Sequence, residues 1–174
     1  MSGFAGRPGL TDIEIVPAQH EGGVLIHGAP ADVNSIMPHT FDSPVSLYAL
    51  SLVYEPLLAK NPQTGEPVGI LAKSWEQGED GVTWTFRLQE GVTWHDGEPF
   101  DADDVKFSFD LYANPETGSF WVAAIEDQIA SVEVVDPLTI QFVAKGPFVD
   151  FPLLAVVDRL IVAEHVLGPV PPAD

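Results

Sequence analysis

The sequence contains no cysteine, so neither a disulfide framework nor a thiolate metal site is open to it, and its stability is indifferent to the redox state of its compartment. The same absence leaves no attachment point for a lipoprotein anchor. Positive charge is nearly as scarce, with seven Lys and Arg against 26 Asp and Glu and a formal charge of −19. The acids run along the whole chain, which sets it against phosphate backbones and anionic lipid and excludes nucleic acid as a partner. No run approaches the roughly 20 apolar residues of a membrane span. The opening MSGFAGRPGLTDIEIVPAQHEGG also lacks the apolar core of a signal sequence, so an export leader is not expected within these residues. Catalytic signatures are missing as well: there is no G-x-S-x-G elbow, no H-E-x-x-H and no glycine-rich phosphate loop.

What is present is a hydrophobic content of 45% over 174 residues, enough for a core of ordinary domain size. Residues 1–22 mix Gly, Pro and isolated apolar residues without period and read as a loosely held arm. Gly23-Val24-Leu25-Ile26-His27-Gly28 reads as a short buried strand, with His27 packed inside it, followed by a loop rich in Pro, Asp, Asn and His. Ser43-Pro44 has the form of an N-cap with proline at the first helical position. Leu47, Leu50, Tyr54 and Leu58 then recur at spacings of three and four, which predicts a helix over 44–59.

Turn residues fill Asn61 to Pro67 and Glu79-Asp80-Gly81. Between the second turn and Gln89, Val82, Trp84, Phe86 and Leu88 alternate with polar neighbours, which predicts a strand with one buried face. Two β-rich runs around Asp136-Pro137 predict a hairpin over 132–143. Trp75, Trp84, Trp94 and Phe86 are expected in the core rather than on a stacking platform.

The stretch WHDGEPFDADD, residues 94–104, packs five carboxylates and a histidine into eleven positions. Asp96-Gly97 is tight-turn chemistry. Asp101 falls at an N-cap with Asp104 as its capping-box partner, ahead of an apolar face made by Val105, Phe109 and Tyr112. Asp101, Asp103 and Asp104 then lie at the positive end of that helix. A calcium loop would need a central glycine that DADDVKFSFDLY lacks, and one histidine beside one aspartate is too few ligands for zinc. No metal and no cofactor are therefore expected.

AKSWEQGEDGVTWTFRLQEGVTWHDGEPFDADDVKFSFDLY resembles the signature region of the family 5 extracellular solute-binding proteins, the peptide, dipeptide and nickel receptors of ABC importers. The flanking GGVLIHGAPADVNSIMPH, VYEPLLAKNPQTGEPVGILAKSWE and VEVVDPLTIQFVAKGPFVDFPLL are similar to the family's first strand, first helix and turn, and later hairpin. Departures are Gln89 where the family prefers Lys or Arg, Asp101 where it prefers Thr, and the length, since members run to several hundred residues.

The resemblance implies an α/β chain of mixed α+β type, periplasmic-binding-protein type II-like. Residues 46–155 would form the smaller subdomain, and 23–45 and 156–174 parts of the main lobe. It implies a receptor that captures peptides or similar small solutes outside the membrane, without chemistry, and hands them to the membrane subunits of a permease. A fragment of this size is expected to bind weakly alone. By the same resemblance Asp42, Ser43 and Pro44 correspond to the segment offering backbone contacts to a peptide, with Asn34, Met37, His39 and Phe41 as weaker candidates; loop packing and helix capping are the competing roles. Cutting away the rest of the main lobe would expose apolar surface on 23–28 and 156–167, from which self-association is expected. The alternatives are a calcium-stabilised extracellular module using Asp96, Asp101, Asp103 and Asp104, and an acid-dependent hydrolase using Asp/His pairs.

Overall fold

The computed structural model describes residues 28–41 and 43–170. The strand expected at 23–28 lies outside them apart from Gly28, as do His27 and Asp42. Within the described residues the chain forms α1 (Pro44–Leu50), β1 (Leu58–Lys60), β2 (Pro67–Gly69), β3 (Ala72–Gln77), β4 (Thr83–Leu88), α2 (Ala102–Ala113), α3 (Val122–Gln128), β5 (Ile129–Asp136), β6 (Thr139–Ala144) and the single turn α4 (Glu164–Leu167). β1 and β2 make a two-stranded antiparallel ribbon, and the other strands form an antiparallel sheet in the order β3-β4-β6-β5.

The alternation read in the sequence places Trp84, Phe86 and Leu88 of β4 on one buried face. Their partners in β6, Phe142 opposite Trp84 and Ile140 opposite Phe86, bury the same face. On the other face Gln141 donates to the Thr85 hydroxyl at 3.0 Å. α2 lies on the apolar face, where Phe109 meets Phe142 edge-on at 4.8 Å and Phe142 meets Phe86 at 5.3 Å. Phe151 joins this cluster, stacking on Trp84 at 5.9 Å. Such aromatic pairs bury large apolar area in fixed geometry, so the β4–β6 register and the position of α2 depend on each other.

The Asp-Pro hairpin forms as predicted, and Gly81 turns the chain into β4 with φ +73°. The Asp80 carboxylate accepts the Val82 and Thr83 N–H groups at 3.0 and 2.9 Å and the Thr83 hydroxyl at 2.6 Å, and these bonds hold its carboxyl below the usual range.

The helix predicted over 44–59 ends at Leu50. The Leu50 carbonyl accepts from both Val53 and Tyr54, closing a tight turn, and Pro56 disfavours helical conformation at the residue before it. Leu57 and Leu58 are adjacent and both fully buried. One helical face cannot bury two adjacent side chains; an extended segment covered on both sides does.

The segment after β6 closes the core. A short π turn over Pro152–Val156 leads into an extended stretch bridged to Leu58 through Val157 and to Pro56 through Leu160. α2 holds this stretch with two hydroxyls: Tyr112 donates to the Leu160 carbonyl at 2.7 Å, and Ser108 accepts the Val162 N–H at 2.9 Å. Val156, Val157 and Leu160 to Ala163 are therefore buried, which removes the apolar surface expected there; Val166, at 52% exposure, is the large apolar side chain left open. Among the described residues no helix is long and apolar enough to cross a membrane.

Candidate functional site

The acidic stretch resolves into scaffold. Asp101 caps α2 by accepting the Asp103 N–H at 2.9 Å, and Asp104 returns the capping box by accepting the Asp101 N–H at 3.2 Å. Asp104 is only 5% exposed, and it also accepts the Trp94 indole N–H at 2.9 Å and the Glu164 N–H at 2.8 Å. Three donors from three segments thus surround one buried carboxylate, the condition under which burying it is tolerable. Asp96 instead meets His165 at 2.8 Å. That bond lowers the Asp96 carboxyl and raises the His165 imidazole, with Asp104 and Glu98 adding to the pull on His165. Asp96, Asp101 and Asp104 each already accept from a donor of the chain, and no group of acids and histidines suited to a metal occurs among the described residues. His165 has no hydroxyl partner among the described residues, so the pair does not form a nucleophile and base.

The loop predicted to meet ligand divides in two. Ser43 caps α1 by accepting the Ser46 N–H at 3.1 Å, and Pro44 occupies the first helical position, exposed. The Asn34 N–H donates to the buried Ser46 hydroxyl at 3.0 Å, while the Asn34 side-chain oxygen accepts from the Ser43 and Ser46 hydroxyls. Asn34 and Ser43 are thus brought together, tying the loop to the start of the helix. Met37 is half-buried and its carbonyl accepts the Thr40 and Phe41 N–H groups, turning the chain inward.

Phe41 belongs to a second cluster, formed with Leu50 and Leu160 and with Leu47, Tyr54 and Trp121 around them. Phe41 meets Phe120 edge-on at 5.5 Å, and Phe120 in turn lies 4.3 Å from Trp121. The Arg159 guanidinium sits 3.6 Å above the Trp121 ring. Phe120 is 48% exposed, so the cluster reaches the surface. Arg159 Nε, buried beside the Trp121 ring, has no hydrogen-bond partner, and neither has His39 Nδ1 in the loop. Burial pushes His39 below its ordinary value.

Sequence reasoning did not single out Phe120, Trp121 or Arg159. The available signal was a lone arginine in the apolar run PLLAVVDRLIVA, where a charge is rare unless paired or functional. A cavity of about 370 Å3 lies beside this cluster, bordered by Tyr54, Leu71, Trp94, His95 and Phe100; none of the six predicted residues that are described lines it, and Tyr54 belongs to both features.

Residues 66–165 match the family model described as bacterial extracellular solute-binding proteins, family 5, middle. The chain belongs to this family. It is 40% identical over 119 residues to a Brucella ovis protein bearing the name ABC transporter peptide-binding protein, covering 68% of this chain and 22% of that one. It is 33% identical over 153 residues to the dipeptide-binding protein of Escherichia coli, covering 78% and 29%. Among solved structures, the ABC transporter substrate-binding protein CtaP of Listeria monocytogenes superposes with a TM-score of 0.73 at 30% identity, over 86% of this chain and 30% of that one. The chain therefore spans less than a third of the length of each of these proteins, and its periplasmic-binding-protein type II fold agrees with the resemblance read from the sequence.

Proposed function

We propose that the chain is part of an extracytoplasmic receptor that binds peptides or similar small solutes and delivers them to the membrane subunits of an ABC permease. The observation that carries this reading is the family match over residues 66–165. The names of relatives as peptide- and dipeptide-binding proteins support this solute class. The geometry agrees with binding rather than chemistry: the acidic stretch caps a helix, while an aromatic cluster reaches the surface beside the 34–44 loop. Receptors of this kind work by shifting an open and closed equilibrium, and ligand moves that equilibrium only as far as the closed form holds it better.

In this reading residues 46–155 form the smaller subdomain, and Asn34, Met37, His39, Phe41, Asp42, Ser43 and Pro44 border the cleft into which a peptide lies. Asn34 and Ser43 act by shaping the loop, which leaves backbone groups and the aromatic edges for the ligand. The test is calorimetry of the chain together with whatever follows it in its gene, titrated with di- to pentapeptides. Saturable heat for at least one peptide is expected. No binding across the series would remove the peptide reading.

A further inference from the structure

The cavity of about 370 Å3 has a continuation. A smaller cavity of about 210 Å3 shares Val53, Tyr54, Trp94 and His95 with it, so the two form one groove. The larger part falls within the size of small-ligand sites, roughly 300–1,000 Å3. No residue of the 34–44 loop lines either part, and of the second aromatic cluster only Tyr54 does.

The groove is walled by aromatic carbon. Tyr54, Trp94 and Phe100 line its larger part. Trp94 is fixed in two directions, because the buried Asp104 carboxylate accepts its N–H at 2.9 Å and its ring meets Phe100 edge-on with centroids 6.2 Å apart. The indole thus uses its one donor on a residue outside the groove and gives the groove ring carbon alone. Leu52 and Val53 form an open rim, 72% and 53% exposed, on which an apolar body gains burial.

The charge around these rings has one sign. Glu55 borders the larger part and Asp96, bonded to His165, the smaller, while none of the described Lys and Arg residues lines either. The formal charge of −19 adds to that field. An anion is repelled from such a place and a neutral apolar molecule gains burial only, whereas a cation gains the attraction of the aromatic rings as well. We propose that this groove is a binding site for a small organic ammonium ion with an apolar body, of the arylalkylamine class. The site is separate from the 34–44 loop and does not rest on the receptor reading.

The experiment is an NMR titration of the 174-residue chain at about pH 8, where imidazoles are largely neutral and a primary amine is charged. Phenethylammonium, phenethyl alcohol and hydrocinnamate are compared at constant ionic strength, following the indole N–H signals of Trp94 and Trp121 and the methyl signals of Val53 and Leu71. Saturable shifts at Trp94, Val53 and Leu71 are expected with the amine, about tenfold tighter than with the alcohol and absent with the carboxylate. Trp121 should not follow them. No saturable shift at Trp94 overturns the site, and equal affinity for amine and alcohol overturns the ammonium class. Matching shifts at Trp121 also overturn it, since they report loose attraction of a cation to an acidic chain.

Glu55→Gln combined with Asp96→Asn should remove most of the preference for amine over alcohol, and an unchanged preference overturns the role given to the lining charge. The ligand series decides the class in the unaltered chain, so it stands whether or not this variant folds. Failure of peptides to bind, the result that would remove the peptide reading, leaves the amine titration unaffected.

Discussion

The Asp104 carboxylate accepts the Trp94 indole N–H at 2.9 Å across the turn that separates them. The same carboxylate closes the capping box of α2 and accepts the Glu164 N–H. One buried acid therefore ties the acidic turn, the start of a helix and the chain that follows the core.

Asp104→Ala should remove the cap and leave three donors without their acceptor. Loss of about 2–4 kcal/mol is expected, combining a lost cap with unsatisfied buried groups. Asp103, exposed one residue earlier, serves as the control, with a change of about 0.5 kcal/mol or less on mutation to Ala. Urea unfolding of both variants measures the difference, and equal losses would contradict the role given to Asp104.

The Asp96–His165 pair should make α4 sensitive to pH. His165 is raised by its bond to Asp96, so its contribution is full below the unfolded imidazole value of about 6.5 and fades as pH rises through the folded value. Asp96 is lowered, so its contribution holds above about 3.9 and fades as pH falls through its folded value. The latch is strongest between roughly pH 4 and 6.5. Both side chains are exposed, so the effect is local and salt-dependent. NMR titration of His165 should show its value falling toward the ordinary one in Asp96→Asn, and an unchanged titration would exclude the pair.

Tyr112→Phe should cost about 1–3 kcal/mol, because the Leu160 carbonyl loses its 2.7 Å donor in a buried setting. Burial already pushes the Tyr112 phenol well above its usual value. It should accordingly stay protonated through alkaline titration until the fold opens, which absorbance at the phenolate band would follow.

Phe142→Leu should destabilise through lost volume at the meeting point of β6, α2 and the Phe151 segment. Phe142 is fully buried and contacts Phe86, Phe109 and Phe151. A loss of about 1–3 kcal/mol is expected, with Phe142→Ala reaching about 3–5 kcal/mol. Thermal unfolding of the two variants tests the order.

The parts of the fold legible in the sequence are those governed by neighbours along the chain. Alternation from Val82 to Leu88, the Asp101 and Asp104 cap and the Asp136-Pro137 hairpin each follow from residues within a few positions of one another, and all three form. The helix over 44–59 was overread because Tyr54 and Leu58 continue a helical spacing by coincidence. Leu58 is buried by β2 and Val157, and Tyr54 packs against the cluster that holds Leu160, neither of which a local pattern encodes. In the candidate site, the capping role of Ser43 was local and legible. The meeting of Phe41, Phe120, Trp121 and Arg159 joins three segments far apart in sequence, so only the folded chain reveals it.

Ser108 and Tyr112 stand one turn apart on α2 and grip Val162 and Leu160 in the opposite order. A pull applied to the chain beyond Ala163 along that stretch therefore loads both hydroxyl bonds together, in shear, instead of unzipping them one after the other. The stretch up to Ala163 is thus anchored through two hydroxyls to the helix and, through the helix, to the sheet beneath it, so strain entering there is shared by both.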